Sequence, residues 1–491
     1  MVEQWTLDDL ESKIKSQELL SLSSKSAVYK YELNDGRIII GKSYDHYDTP
    51  EYKKAFKDKT SLVDESFYKN PRHYFKKELK VLSCYSKTNV APQPIAFIKE
   101  NLLILMEYID GKPFSDLFVE EEIKFIEGST KDGKRPQKRE LNIAKNKLRD
   151  KLVENLENYY KRTAPLHKNI VKQCLDKYGN YTEKNHPTLK IRGQYEEKTR
   201  FRHAVYKMVY GFSKEFKEEN PQLYNEQLLA NRDTQNKLWK KAKIEIKKYL
   251  KTKEIIFEDF VTDFLGLYHN LVYGHDKLDN KITSELLKEG KIRAILGDAG
   301  PQNFIYVQNK RGKLIDFNES RLANPHLDVV SALFNIYSMP TESRIPRYIR
   351  NFWQETPQIK ESYPDFHEFH AGCMATRLYK DFLIAANNSD FSDIEIERFA
   401  AGHPRFDDLT KENRNMLFKK DRIVDMLYMF PYYMFEDGYK VVLEPSPKKN
   451  ELRELLNLTR EFLHKTYIGL LPTEKYIGIR VDEIGTEGSE I

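Results

Sequence analysis

The segment from Ile292 to Phe317 constrains the fold more than any other part of this chain. It reads IRAILGDAGPQNFIYVQNKRGKLIDF, in which three short apolar runs, typical of strands, are separated by polar loops. Asp298 follows the first run, Asn303 precedes the second, and Asp316 ends the third. Because the turn QNKRGK joins the second and third runs, a hairpin would bring Asn303 and Asp316 to the same end of a sheet.

These three side chains suit phosphoryl transfer from a nucleotide. That reaction needs a carboxylate that orients and deprotonates an acceptor hydroxyl, and oxygen ligands for Mg²⁺ bound to the phosphates. Asp298 is the candidate catalytic carboxylate, and Asn303 and Asp316 are the candidate metal ligands. A solvated turn is the alternative explanation for Asp-x-x-x-x-Asn alone, but the flanking strands and Asp316 favour the catalytic interpretation.

The composition bounds the class of protein. The chain has 491 residues, which is enough for two or three units, and its 40% hydrophobic and 32% charged residues indicate a folded, well solvated protein. The three cysteines are far apart and are expected to be reduced thiols. We find no secretory pattern at the start and no run of 18 apolar residues, so we expect a cytoplasmic protein without a membrane partner.

Charge is unevenly distributed along the chain. The formal net charge is only +6, but residues 131–250 contain 30 Lys and Arg against 15 Asp and Glu. This segment therefore carries +15, and the remainder carries −9. A basic insertion in an acidic protein is the organisation that these counts predict.

Hydrophobic patterning divides the chain into four parts. Residues 1–118 are predicted to fold as β-β-α-β-β, with a turn at Asn34-Asp35-Gly36 and a helix near residues 74–87. Residues 119–290 are helical in pattern and contain the basic insertion, ending in an apolar helix near EIIFEDFVTDFLGLYHNLVYG. Residues 291–334 carry the candidate catalytic and metal-binding loops, and residues 335–491 are mostly helical.

The segment 292–317 resembles the catalytic loop of the aminoglycoside phosphotransferase and choline kinase family, which shares the protein-kinase-like fold. The shared pattern is an Asp, an Asn five residues later, a hairpin and then Asp-Phe. Members typically read His-Gly-Asp, where this chain has Leu296-Gly297-Asp298. A later Pro-x-x-Asp element is matched at residues 325–328, where Asp328 is predicted to brace the catalytic loop through its backbone.

The resemblance implies an α+β, protein-kinase-like fold of two lobes. The small N-terminal lobe would contain an antiparallel sheet and bind the nucleotide, and the large C-terminal lobe would be mainly helical with a long helical insertion. The last part of the chain, 335–491, would lie on the substrate side.

Residues of the nucleotide site follow from the same resemblance. Lys42 corresponds to the strand lysine that holds the α and β phosphates, and Glu78 to its ion-pair partner. Met106 falls at the gatekeeper position, and Glu107 to Ile109 at the hinge, where backbone groups would hold adenine. The loop LSSKSAV would lie over the phosphates; it contains no glycine, so hydroxyls would supply contacts there. Those hydroxyls belong to Ser23, Ser24 and Ser26.

The predicted activity is an ATP- and Mg²⁺-dependent transfer of the γ-phosphate to a hydroxyl of a small molecule, such as an aminoglycoside-, choline- or sugar-like acceptor. One alternative is a kinase of a protein or nucleic-acid-bound target that docks through the basic insertion; nucleic acid is the less favoured partner because lysine-rich helices are usually solvated. A second alternative is an inactive pseudokinase, suggested by Leu296 and the glycine-free loop. The sequence does not specify the oligomeric state.

Overall fold

The computed structural model describes residues 2–22, 26–45, 71–131, 138–182, 189, 191, 194–225, 232–308, 312–333, 345–387 and 448–466. The chain divides into two compact units, each assembled from segments that are distant in sequence. Unit 1 contains residues 1–121, 139–191 and 292–332, and unit 2 contains residues 122–138, 192–291 and 333–491.

Short strands and long helices alternate along the described residues. The strands are β1 (Glu3–Gln4), β2 (Ile14–Leu22), β3 (Ala27–Leu33), β4 (Ile38–Ser43), β5 (Pro94–Ile98), β6 (Leu103–Glu107), β7 (Lys112–Pro113), β8 (Arg293–Ile295), β9 (Phe304–Tyr306), β10 (Lys313–Leu314) and β11 (Arg321–Ala323). The helices are α1 (Leu7–Glu11), α2 (Pro71–Tyr85), α3 (Phe114–Lys131), α4 (Lys138–Cys174), α5 (Gln194–Phe212), α6 (Lys214–Glu219), α7 (Pro221–Asn225), α8 (Arg232–Thr252), α9 (Phe257–Tyr273), α10 (Asn280–Glu289), α11 (His326–Leu333), α12 (Ile345–Glu355), α13 (Pro357–Ser362), α14 (Phe366–Asn387) and α15 (Lys449–Thr466).

A six-stranded sheet forms the first part of unit 1. Its order is β1-β5-β6-β4-β3-β2, and every pair is antiparallel except β1 with β5. The predicted β-β-α-β-β order is two strands short before helix α2, where the structure has β1, β2, β3 and β4. β2 ends at Leu22 and β3 begins at Ala27, on either side of the predicted loop LSSKSAV, although the predicted order counts the two as one strand. The two-residue β1 is too short to leave a pattern.

The predicted turn between β3 and β4 is confirmed. Gly36 lies in the left-handed region at φ 82°, and its amide donates to the Leu33 carbonyl at 2.9 Å. Within β4, Gly41 is required by close packing, because a Cβ there would lie 2.4 Å from the Tyr31 ring. The sheet covers an apolar core that the helix α1 also joins. Its buried members are Leu10, Tyr31, Leu33, Ile39, Ala96, Ile98, Leu103 and Leu105.

Two smaller sheets complete unit 1. β9 and β10 form the predicted hairpin, with Phe304 opposite Leu314, and β7 extends it on the other side. β8 pairs with β11 in a two-stranded sheet. These small sheets carry the loops in which Asp298 and Asp316 lie.

Unit 2 is helical in its described residues and has an interior rich in aromatic side chains. The predicted apolar helix is confirmed as α9, which ends at Gly274 in the left-handed conformation. Helices α5, α9, α14 and α15 contribute a group of packed rings that we call the aromatic core. It consists of Phe201, Phe260, Phe264, Tyr379, Phe382 and Phe462.

Two histidines of unit 2 that stand out in the sequence belong to its packing. His269 on α9 is buried, and its Nε2 lies 2.7 Å from a carboxylate oxygen of Glu197. His370 and Cys373 are buried on α14, and burial lowers the pKa of His370 to about 3. None of the helices in the described part of the chain combines the length and apolar composition that a membrane span requires.

Candidate active site

Lys42 lies near the middle of the large sheet. In β4 it pairs with Val28 on one side and Ile104 on the other, and only 6% of the residue is exposed. Its Nζ lies 3.0 and 2.7 Å from the two carboxylate oxygens of Glu78, and 2.7 Å from Oδ1 of Asp316. Lys42 and Asp316 are 274 residues apart in sequence, so folding of unit 1 brings this group together.

The charges of the group stabilise the ammonium. Burial by itself disfavours a charged lysine, but the carboxylates of Asp316 and Glu78 outweigh that cost and hold the pKa of Lys42 above its ordinary value. One ammonium faces two carboxylates, so the group carries a formal charge of about −1. An additional cation is therefore the natural partner of the group.

Glu78 is held from several directions. It lies on α2 with 1% exposure, and its carboxylate also accepts hydrogen bonds from the Tyr44 hydroxyl and, at 3.4 Å, from the Phe317 amide. The neighbouring Lys77 donates to the backbone carbonyl of Asn318 at 2.6 Å. Helix α2 thus contacts both β4 and the backbone that follows Asp316. We refer to Lys42, Tyr44, Glu78 and Asp316 as the lysine cluster.

Asp316 has an unusual backbone conformation. Its φ is 63°, in the left-handed region that costs an L-residue about 1–2 kcal/mol. The Asp316 side chain is 37% exposed, so one face of the carboxylate remains open while Oδ1 contacts Lys42. Strained residues of this kind are concentrated at ligand sites.

Asp298 and Asn303 are joined in one loop between β8 and β9. The Asn303 side-chain amide donates to the Asp298 backbone carbonyl at 2.7 Å and to its carboxylate at 3.2 Å. The Ile315 amide donates to the Asn303 carbonyl at 2.9 Å, which connects this loop to the residue before Asp316. The amide nitrogen of Asn303 is thus engaged by Asp298, which leaves Oδ1 as the atom that could hold a metal ion.

Asp328 braces the loop, as the sequence predicts. Its buried carboxylate accepts hydrogen bonds from the amides of Leu296 and Gly297, both at 2.9 Å, and from the Tyr160 hydroxyl at 3.0 Å. Burial raises the pKa of Asp328 to about 6, although these hydrogen bonds oppose the rise. Leu296 therefore contributes its backbone, and its side chain is buried without a polar role.

Gly297 is required by its surroundings. Its φ is 82°, and a Cβ at this position would lie 2.2 Å from the Glu319 carbonyl oxygen. Any other residue would displace the backbone between Leu296 and Asp298.

The other residues predicted for the nucleotide site lie in or next to strands β3 and β6 of the large sheet, as far as the structure describes them. Met106 is buried in β6 opposite Ile40, and Glu107 ends that strand with its amide bonded to the Gln93 carbonyl at 2.9 Å. Ile109 follows two residues later and is half-buried, and Ser26 is buried just before β3. Ser23 and Ser24 lie outside the described residues.

Sequence reasoning missed three residues of the site. Tyr44 is two positions after Lys42, and side chains alternate along a strand, so its place on the same face was a readable signal. Lys77 precedes Glu78 but resembles any solvated helix lysine. Tyr160 reaches Asp328 from 168 residues away, which no local pattern reveals.

The donor set fits a magnesium–nucleotide complex. Among the described residues, no cluster of three or more His, Cys, Asp or Glu could hold a metal ion alone. Mg²⁺ is commonly bound by one or two carboxylates together with phosphate oxygens and water, and Asp316 and Asn303 offer that smaller set. The Lys42 ammonium is the cation that could contact the phosphates of such a complex.

Comparison with known proteins gives matches among solved structures alone. No protein-family model and no curated protein sequence matches the chain. A choline kinase from Cryptosporidium parvum is 13% identical, with coverage of 95% of this chain and 94% of that chain and a TM-score of 0.40. An ADP-bound aminoglycoside phosphotransferase is 11% identical, with coverage of 92% and 96% and a TM-score of 0.37. A choline kinase from Streptococcus pneumoniae is 12% identical, with coverage of 84% and 94% and a TM-score of 0.34.

These solved structures belong to the two kinds of enzyme that the catalytic motif resembles.

Proposed function

We propose that this protein is an ATP- and Mg²⁺-dependent phosphotransferase that moves the γ-phosphate to a hydroxyl of a small molecule. The observation that carries the proposal is the convergence of Lys42, Glu78 and Asp316 within hydrogen-bonding distance. A buried lysine that contacts two carboxylates from distant segments is suited to a site where phosphates and a cation bind together. A purely structural role would be served better by apolar side chains of similar volume.

Each residue of the site has a distinct task. The Lys42 ammonium binds the α and β phosphates, and Glu78 keeps that ammonium in place. Asp316 and Asn303 hold Mg²⁺, which when bound neutralises negative charge on the phosphates. Asp298 orients the acceptor hydroxyl and accepts its proton.

The supporting residues explain how this arrangement is maintained. Asp328 holds the backbone of Leu296 and Gly297, and through it the position of Asp298. The hydrogen bonds from Asn303 to Asp298 couple the acceptor side of the site to the metal side. Positioning of this kind supplies much of the rate enhancement in phosphoryl transfer.

The acceptor is proposed to be a small molecule with a hydroxyl, and the charge of −9 outside residues 131–250 is compatible with a cationic one. The motif resembles enzymes that modify aminoglycosides and choline, so these compounds and amino sugars are the first to test. Transfer of labelled γ-phosphate to a panel of such acceptors provides the assay.

We expect label to appear on at least one acceptor with wild-type protein and Mg²⁺, and to disappear with Asp298→Asn. No transfer despite binding of Mg²⁺ and ATP would favour a pseudokinase. No nucleotide binding at all would contradict the proposal.

Docking of nucleic acid through the basic insertion is a second candidate, and helix α8 favours it. From Lys237 onward, the exposed residues of α8 recur at spacings of three and four and lie on one face. They are Lys237, Lys240, Lys241, Ile244, Lys247, Lys248, Lys251 and Thr252. Six lysines on one stripe suit phosphate contacts, and a steep loss of RNA binding with salt would support docking. Equal binding by a variant with Lys240, Lys247 and Lys251 changed to Gln would exclude this helix.

A further inference from the structure

Tyr44 is a buried side chain that has no role in the chemistry described above. Its residue is completely enclosed, and its hydroxyl donates a hydrogen bond to Oε2 of Glu78. The centre of its ring lies 5.5 Å from Nζ of Lys42. Tyr44 therefore contacts both members of the ion pair that we propose to bind phosphates.

The backbone of the sheet determines where this tyrosine points. The Tyr44 amide donates to the Leu102 carbonyl at 3.1 Å, which continues the pairing of β4 with β6 past the end of β4. Side chains two positions apart in a strand emerge on the same face, so Lys42 and Tyr44 approach Glu78 together. The rigid tyrosine has few rotatable bonds, and it presents its hydroxyl to Glu78 at a defined place.

The shared ammonium explains why Glu78 benefits from another donor. Nζ of Lys42 lies 2.7 Å from Oε2 of Glu78 and also 2.7 Å from Oδ1 of Asp316. If the Glu78 carboxylate could turn, the ammonium would follow it or move wholly to Asp316. Either change would misdirect the cation meant for the phosphates, and the second would also occupy the carboxylate meant for Mg²⁺.

We propose that Tyr44 is a positioning residue for nucleotide binding: its hydroxyl holds the Glu78 carboxylate so that Lys42 and Asp316 both stay directed toward a magnesium–nucleotide complex. This inference rests on the proposed function. It adds a residue of this chain to the site, and the bond to Glu78 is charge-assisted, which makes it stronger than a neutral one.

Titration calorimetry with Mg²⁺ and ADP tests the role of Tyr44. Tyr44→Phe removes the hydroxyl and keeps the ring, and we expect its dissociation constant to rise about tenfold, the usual scale for a lost hydrogen bond to a charged group. Tyr31→Phe is the matched control, since Tyr31 is a buried tyrosine of the same sheet that packs in the apolar core. Its affinity should equal that of the wild type.

A double-mutant comparison separates positioning from general structural support. In a Glu78→Gln background, Tyr44→Phe should have much less effect on the dissociation constant, because its target carboxylate is gone. A structural role would instead lower the unfolding midpoint and leave the dissociation constant unchanged. Equal affinity of wild type and Tyr44→Phe would overturn the role of Tyr44 while leaving the proposed function intact. No binding by the wild type would overturn both.

Discussion

The lysine cluster of unit 1 and the aromatic core of unit 2 are both buried, but they are built from opposite kinds of side chain. In the lysine cluster one ammonium, two carboxylates and a phenol meet, with Lys42 and Glu78 6% and 1% exposed. In the aromatic core, rings pack directly on one another, with centroids of Phe201 and Phe264 4.4 Å apart and those of Phe260 and Phe462 4.2 Å apart.

The two kinds of buried side chain indicate different roles for the lysine cluster and the aromatic core. Aromatic burial contributes stability through apolar area and packing, and it requires no particular charge. Buried charges must be desolvated, so an ion pair contributes less to stability than apolar residues of similar volume. A chain that keeps charges at one buried place and rings at another separates a chemical task from a structural one. Substitutions at Asp298 and in the lysine cluster should therefore change activity more than stability, and those in the aromatic core the reverse.

We expect the largest effect at Asp298, and it is an effect on activity. Asp298→Ala should lower kcat by about a thousandfold, or about 4 kcal/mol, because the group that accepts the hydroxyl proton is lost. The unfolding midpoint should change little, since Asp298 is only half-buried. Steady-state transfer of γ-phosphate measures the first quantity and thermal unfolding the second. A variant with near wild-type kcat would remove Asp298 from the mechanism.

The aromatic core should respond in the opposite way. Phe264 is fully buried against Phe201, so Phe264→Ala should lower the free energy of unfolding by about 3–4 kcal/mol. Phe264→Leu, which fills more of the space, should lose less. Urea unfolding measures both, and affinity for Mg²⁺ and ADP under folding conditions should not change. A variant that lost nucleotide affinity but kept its stability would contradict a purely structural role for the aromatic core.

The contribution of the buried Asp328 to the free energy of unfolding should depend on pH. Its pKa is raised to about 6 in the folded protein, against 3.8 ordinarily, so the folded state binds the proton more tightly than the unfolded state. This contribution to stability is complete below pH 4 and is lost as the pH rises through 6. Relative to Asp328→Asn, which does not titrate, the wild type should gain about 2 kcal/mol of stability between pH 7 and pH 4. Parallel urea-unfolding results across that range would contradict the raised pKa.

The smallest effect concerns the backbone of Asp316. Asp316→Ala and Asp316→Gly both remove the proposed metal ligand, and both should lose Mg²⁺-dependent nucleotide binding. Because φ is 63°, the glycine variant should be more stable than the alanine variant by about 1 kcal/mol. Denaturant midpoints compare the two variants. Phe317→Leu serves as a control that alters side-chain packing in the same loop without changing the backbone at Asp316. Equal stability would show that the left-handed conformation is not retained.

Much of unit 1 was predictable because its signals are local. The turn at Gly36, the hairpin of β9 and β10 and the run of polar residues from Asp298 to Asp316 each follow from residues close in sequence. The pairing of Lys42 with Glu78 was expected from the family resemblance rather than from hydrophobic patterning, and the structure has the two side chains in contact. The number of strands before α2 could not be read from the pattern, because β1 has only two residues, which are too few to show alternation.

Contacts between distant segments could not be read from the sequence. Tyr160 on α4 reaches Asp328, and Lys77 reaches the Asn318 carbonyl, through packing that depends on the whole unit. The aromatic core likewise joins α5, α9, α14 and α15, whose separate patterns predict burial without naming partners. The roles of the site residues remain predictions that these geometries support.

The central claim is that the lysine cluster binds a nucleotide through a divalent cation. Titration calorimetry with ADP, in Mg²⁺ and then in excess chelator, tests it most directly when wild type and Asp316→Asn are compared. We expect Mg²⁺ to strengthen ADP binding to the wild type at least about tenfold, and Asp316→Asn to lose this dependence. Binding that is absent, or that is equally independent of Mg²⁺ in both proteins, would contradict it.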